Sequence, residues 1–142
     1  MCQINSKPFK VSEEEITCYK VVFHWDYNVY ATPYMASLYR VGTRYKDSGD
    51  SNVVYRNGMM EVHGGCYHFV KDLEGARKLA EFLTKIRFRY NRVFVVAKCT
   101  IPAGTMVSEG MFRTNNGTVV VDSICAKSFE FVEIVDEDFH IS

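Results

Sequence analysis

The sequence predicts an α+β domain. The expected form is a mostly antiparallel, curved sheet of about six or seven strands with one main helix, at about residues 73–88, packed on one face. Three observations carry this. Aromatic residues make up 14% of the chain, ten Phe and nine Tyr among them, beside only three prolines and nine glycines, a balance that favours strands. Asn-Gly steps stand between strand-like arms at two places, which is a hairpin signature. A single stretch, Leu73, Ala76, Leu79, Ala80, Leu83 and Ile86, repeats apolar residues at spacings of three and four, the stripe of one amphipathic helix.

Taken in order, Ser12 to Glu15 matches the S-x-x-E capping pattern, but β-prone residues follow at once, which limits any helix there to one turn. Ile16 to His24 reads as the first long strand. The segment from Trp25 to Tyr45 holds Tyr27, Tyr30, Tyr34, Tyr39 and Tyr45, punctuated by Pro33 and Gly42, and predicts short extended pieces joined by turns. Asp47 to Asn52 is small and polar, the composition of a loop. Val53 to Val62 places Asn57-Gly58 between two arms, as a type I′ hairpin requires. Asp72 is placed to cap the helix through its carboxylate, and Lys85 and Arg87 favour its C-terminal end through the helix dipole. Val93 to Ile101 reads as a buried strand closed by Pro102-Ala103-Gly104. Met111 to Thr114 and Thr118 to Val121 flank Asn115-Asn116-Gly117 as a second hairpin, and Ser128 to Val135 alternates as a last strand. No linker, repeat or low-complexity run interrupts the chain, so residues 1–142 are expected to form a single globular domain with a short N-terminal arm.

Composition narrows the function classes. Seventeen basic and seventeen acidic side chains cancel, so the chain lacks the overall positive charge that drives nonspecific nucleic-acid binding. One region, Lys71, Arg77, Lys78, Lys85, Arg87, Arg89 and Arg92, is basic, against an acidic tail at Glu130, Glu133, Asp136, Glu137 and Asp138. The interleaved run from Lys85 to Arg92 is read as a solvated helix end. No apolar run of membrane-spanning length and no signal-peptide core is seen. The five cysteines, Cys2, Cys18, Cys66, Cys99 and Cys125, form neither a CxxC pair nor a disulfide-scaffold spacing. Reduced thiols and a cytoplasmic location are expected.

Chemistry is densest at His63-Gly64-Gly65-Cys66-Tyr67-His68, which gathers three metal-ligating side chains in six residues. Zinc needs three or four converging ligands, and no established spacing completes His63, Cys66 and His68, so no metal is assigned. By period two, Cys66 and His68 share a strand face. A Cys66–His68 nucleophile pair lacks an identifiable orienting group. Phosphate-cradling, dinucleotide-binding and nucleophile-elbow motifs are missing. The tyrosine-rich segment is read chiefly as packing, and secondarily as a partner surface.

Tyr19-Lys20-Val21-Val22, Tyr39-Arg40-Val41-Gly42, Gly65-Cys66-Tyr67-His68-Phe69 with the Asp72-Leu73-Glu74-Gly75-Ala76-Arg77 helix start, and Val95-Val96-Ala97-Lys98 through Ile101-Pro102-Ala103-Gly104 together make an order that resembles small domains from phages and gut bacteria. The resemblance covers most of the chain and implies a mobile-element or commensal-bacterial origin without an activity. The order of Tyr67-His68-Phe69, the helix through Ala76 and Ala80, Ile101-Pro102-Ala103-Gly104 and Glu130 is also similar to the ADP-ribosyltransferase fold. That similarity implies a pocket for NAD or another nucleotide, with Tyr19, Lys20, Tyr67 and His68 as ligand-binding walls and with His68 and Glu130 as the catalytic candidates.

Two readings follow. The first is an intracellular accessory or interaction domain with a protein partner and no assigned catalysis. The second is a nucleotide-binding, ADP-ribosyltransferase-like domain. The first is preferred because catalytic signatures are missing, and no cofactor is assigned to it.

Overall fold

A computed structural model describes residues 3–33, 37–46, 49, 52–86, 92–114 and 117–136. Its strands are β1 (Gln3–Ser6), β2 (Lys10–Val11), β3 (Ile16–Asp26), β4 (Val29–Ala31), β5 (Leu38–Arg40), β6 (Thr43–Tyr45), β7 (Asn52–Arg56), β8 (Met59–Gly64) and β9 (Tyr67–Val70). The helix α1 (Leu73–Lys85) follows, then β10 (Phe94–Ile101), β11 (Met106–Arg113), β12 (Val120–Ala126) and β13 (Phe129–Asp136). Thus the mostly antiparallel sheet and its helix are as expected, but the described residues hold thirteen strands rather than six or seven. The additions are two- to four-residue pieces such as β2, β4, β5 and β6, too short to display a period of two.

The main path through the sheet runs β6-β13-β10-β3-β9-β12-β11-β1-β8-β7. Every described pairing is antiparallel. β3 and β10 form its centre, in register from Phe94↔Phe23 to Ile101↔Ile16. Both carry apolar residues on both faces because both faces are covered. On one face Val21, Phe23, Phe94, Val96, Phe112 and Val121 receive Ala76, Leu79, Ala80 and Leu83 of α1. On the other, Cys18, Val22, Val95, Ala97 and Cys99 join Phe69, Phe129, Phe131 and Tyr39.

That second face is concave. β9 and β13 lie three steps apart along the sheet, about 14 Å in a flat arrangement, yet the rings of Tyr67 and Phe129 approach to 4.9 Å, as do those of Phe69 and Phe129. Rings carried by strands three steps apart thus meet over the middle of the sheet. The β4–β5 hairpin lays Tyr39 on this face, stacked on Phe131 at 6.0 Å and edge-on to Phe129 at 5.4 Å. Beyond Gly42, whose φ of 82° turns the chain, β6 pairs with β13.

Local signals explain the elements. Asp72 Oδ1 accepts from Gly75 N–H at 2.6 Å, the predicted helix cap. The helix itself stops at Lys85, where Ile86 N–H closes on Phe82 O at 3.0 Å. The expected extension to Phe88 falls outside the described residues. Thr84 Oγ1 donates to Ala80 O at 2.8 Å and accepts from Phe94 N–H at 3.0 Å, tying the helix end to β10. Asn57 and Gly58 adopt φ values of 52° and 77° between β7 and β8, as the type I′ reading requires. The β11–β12 hairpin is also present, with Thr114 N–H on Val119 O at 3.0 Å; Asn115 and Asn116 of its loop lie outside the described residues, as do residues 47, 48, 50 and 51 of the Asp47–Asn52 loop. Ser12 caps no helix. Its hydroxyl donates to Pro102 O at 3.0 Å and accepts from Thr105 N–H at 3.1 Å, so it fastens the β10–β11 turn.

The N-terminal segment, expected as an arm, is strand β1 and lies between β11 and β8. Gln3 is fully buried there. Gly110 makes this possible, since a Cβ at that position would stand 2.7 Å from both Gln3 Cγ and the Ile4 carbonyl oxygen. Gly110→Ala should therefore destabilise the protein by about 1–3 kcal/mol, the usual cost of forcing an extra carbon into a close-packed site. Urea unfolding with an unchanged midpoint would contradict this account of how β1 is seated.

Candidate functional site

Strand alternation separates the residues proposed from sequence. Tyr19 packs on the helix-side cluster, whereas its neighbour Lys20 lies on the concave side between Cys18 and Val22. Tyr67 packs on the concave side, whereas His68 shares the opposite face of β9 with Val70. Glu130 sits between the buried Phe129 and Phe131, which turns it outward to Arg44 at 3.2 Å. The four expected nucleotide walls and Glu130 thus do not converge on one pocket, because consecutive strand residues point to opposite faces. His63 Nε2 stands 3.0 Å from Glu61 Oε1. Cys66 and His68 share a face, but among the described residues no three His, Cys, Asp or Glu side chains form a metal-binding group.

What the concave face does bring together is centred on Lys20. Its side chain is only 6% exposed. Nζ donates to His68 O at 2.7 Å and lies 4.6 Å from the Phe69 ring centroid, 5.0 Å from that of Tyr39 and 5.4 Å from that of Phe129. An ammonium has three N–H donors, and the ring faces provide electrostatic compensation where no further oxygen is supplied. Burial nonetheless lowers the Lys20 pKa to about 8, opposed by the nearby thiols of Cys99, Cys18 and Cys66. Burial also raises the Tyr39 phenol to about 12, so this ring offers the amine no anion at neutral pH. Position matters as much as chemistry here. β3 and β9 are in register at a single pair, Tyr19↔Val70, and the Lys20 bond to the His68 carbonyl crosses that same seam. Its enclosure makes Lys20 a fastening between strands rather than an amine presented to substrate.

On the other face of β9 and β12 lies a second buried polar group. Gln3 Nε2 reaches Ser6 Oγ at 2.9 Å, Ser108 O at 3.1 Å, Ser108 Oγ at 3.2 Å and Cys125 Sγ at 3.6 Å, while Gln3 Oε1 accepts from Ser123 Oγ at 2.9 Å. His68 stands opposite Cys125 in register. Both its ring nitrogens are buried and, among the described residues, have no hydrogen-bond partner, and burial, reinforced by Lys20, pushes its pKa down to about 3. This shift favours the neutral imidazole at physiological pH.

Sequence reasoning selected Lys20 but missed Tyr39, Phe69 and Phe129 as its surroundings. The available signal was a lone lysine on the buried face of an otherwise apolar alternation, Cys18-x-Lys20-x-Val22.

Two pH effects follow. Between pH 8 and 10.5 the unfolded chain holds a Lys20 proton that the folded chain has lost, so the Lys20 contribution to stability is lowest below pH 8 and grows by roughly 3 kcal/mol as pH rises through that window. Burial of Cys18 and Cys99 acts in the opposite direction above their ordinary range. The relevant quantity is therefore the stability difference between wild type and Lys20→Met, measured by urea unfolding across this range; a flat difference contradicts the buried-ammonium assignment. For His68 the unfolded chain takes up the extra proton between pH 6.5 and about 3. Stability present above pH 6.5 falls as pH drops, by roughly 2 kcal/mol at pH 5 from this group. His68→Leu should flatten that acid limb, and an unchanged limb would place its cause elsewhere.

No protein-family model, curated protein or solved structure matches the chain.

Proposed function

We propose that the chain is an intracellular accessory domain that binds a protein partner through the end of the sheet carrying Trp25. The observation that carries this reading is the setting of that residue, the chain's single tryptophan. Tryptophan is usually well buried, yet Trp25 is 52% exposed at the end of β3. It is also held in place. Phe23 lies 6.4 Å away by ring centroids, and the Arg92 guanidinium carbon stands 5.1 Å from the Phe23 ring and 5.9 Å from that of Trp25.

Around it, Tyr27 is 80% exposed in the β3–β4 turn, and Val93 and Ile86 are exposed where β10 begins and α1 ends. Aromatic residues and arginine dominate the energetics of protein interfaces, and a pre-positioned ring loses little conformational entropy on binding. A partner offering an apolar pocket with carboxylates at its rim fits this surface. The described ends of the basic run are engaged within the protein, Lys85 with Glu81 at 2.6 Å and Arg92 on the two rings, which favours a protein over a nucleic acid. An intracellular setting accords with the four described cysteines, Cys18, Cys66, Cys99 and Cys125, all of which are free.

Trp25 provides the test as well as the site. Chemical crosslinking in the source cell identifies a partner, and titration of the purified partner should shift the Trp25 emission to the blue. Trp25→Ala should weaken that complex at least about 30-fold, as loss of a hot-spot residue does, while Tyr55→Ala, at an exposed position on β7, leaves it unchanged. A complex that survives Trp25→Ala at full affinity contradicts the reading. So does a saturable thermal shift with NAD that Lys20→Met or Tyr67→Ala removes from a folded protein.

A further inference from the structure

The sheet ends at β7, and the edge left there differs from the others. Among the described residues, β2, β5, β6 and β7 each pair with one neighbour only: β11, β4, β13 and β8 respectively. Soluble proteins guard such edges by shortness or by charge. β2, β5 and β6 have two or three residues apiece and carry Lys10, Arg40 and Arg44. β7 has five residues, and its middle three, Val53, Val54 and Tyr55, hold neither charge nor proline. Its one charged residue, Arg56, stands beside the turn and is already paired with Glu61 Oε1 at 3.4 Å.

Hairpin geometry fixes which backbone groups face outward. Arg56 and Met59 close the two-residue Asn57-Gly58 loop, and the closing pair of such a hairpin exchanges both its hydrogen bonds across the ladder. Bonded and non-bonded positions then alternate, so Val54 turns its N–H and C=O toward β8, whereas Val53 and Tyr55 turn theirs toward the open edge. Val53 and Tyr55 stand opposite Val62 and Met60, which puts all four side chains on one face. Tyr55 is 70% exposed, its hydroxyl donating to Met60 Sδ at 3.8 Å, and Val53 and Val54 are half-buried.

We propose that β7 pairs antiparallel with β7 of a second copy of this chain, about a two-fold axis through Val54, so that one sheet runs on through both copies. In this register the strand is its own complement. Val53 meets Tyr55 of the second copy and Tyr55 meets Val53. These are the outward-facing residues, so each pair exchanges both its bonds across the seam. Pairs of a β-branched with an aromatic residue stabilise a ladder, and here they continue the apolar face of Met60 and Val62 from one copy to the other. Charge agrees with the same register, because Arg56 falls opposite Asn52 rather than opposite a second arginine. At β6 the equivalent operation would set Arg44 against Arg44, and like charges directly opposite are destabilising. A two-fold pairing uses the β7 edge of both copies, so association stops at a dimer. This inference is independent of the Trp25 interface.

The test is sedimentation velocity of the full chain from micromolar to millimolar concentration, with amide exchange followed by NMR at both ends of that range. Wild type should pass reversibly from monomer to dimer, and exchange of the Val53 and Tyr55 amides should slow as it does. Val54→Lys sets two ammonium groups on the axis and should weaken the dimer at least about 10-fold. Val54→Glu, with two carboxylates there, should do the same, and an equal mixture of the two variants should restore a dimer. The wild-type measurements alone decide the matter if a variant fails to fold. Monomer at every concentration, assembly beyond a dimer, or protection that rises at β6 or around Trp25 instead of at β7 overturns the proposal. So does a folded Val54→Lys variant that dimerises as wild type does, or a mixture of folded variants that stays monomeric.

Discussion

The curl of the sheet around its aromatic face is the constraint on which the other features depend. A sheet bends this sharply only if large side chains on the inner surface replace the contacts that a flat packing partner would provide. Tyr39, Tyr45, Tyr67, Phe69, Phe129 and Phe131 do so, with ring centroids 4.9–6.3 Å apart. The β3–β9 junction holds one pair in register. Lys20 lies at that junction, and its ammonium donates to the His68 carbonyl. A buried charge is costly to desolvate. Here that cost is offset by a hydrogen bond and three ring faces, and the result is a specified junction rather than a generic apolar one.

On the opposite surface of the same strands a different solution serves the same need. β1 has only four residues, too few to fix its position by backbone pairing alone. The Gln3 side chain supplies the specificity by passing over Gly110 to Ser108, Ser123 and Cys125. A buried amide with both its oxygen and nitrogen satisfied discriminates strongly against a slipped register, because a one-residue slip would leave it unpaired in the interior. His68, in the same region, is the exception, with neither ring nitrogen partnered among the described residues. Neutralising it is the least costly state available, which ties the residue's protonation to the integrity of the fold.

These interactions also mark the limit of what the sequence discloses. The helix was legible because six apolar residues recur at its own period and Asp72 precedes them. The Asn57-Gly58 hairpin was legible because positive φ at two successive residues leaves few sequences to choose from. Strands of two or three residues have no period to read. The Lys20 enclosure was hidden for another reason: Tyr39, Phe69 and Phe129 come from three strands far apart in the chain, and nothing local pairs them. Tyr67-His68 and Tyr19-Lys20 were assigned to a single pocket through the similarity to the ADP-ribosyltransferase fold, although contiguity in a strand places side chains on opposite faces. Ser12 misled similarly, since a side chain suited to capping is equally suited to holding a turn.

Trp25 owes its exposure to the same architecture. β3 continues to Asp26, whereas β10 begins at Phe94 opposite Phe23 and α1 ends at Lys85. The last residues of β3 consequently project past the strand and helix that cover its middle. A projecting strand end does not require tryptophan; a polar residue would satisfy the same backbone and avoid exposing a large apolar ring. The Arg92 contact adds a further condition, because stacking a guanidinium on Phe23 and Trp25 restricts the very rotamers that a solvated side chain would sample freely. Both choices reduce the entropy lost when a partner covers the ring. Neither improves the packing of the isolated domain as much as burial of the indole would. On the proposed reading this end is a surface for association, set on a domain whose own stability is secured elsewhere, in the aromatic cluster and beneath the helix.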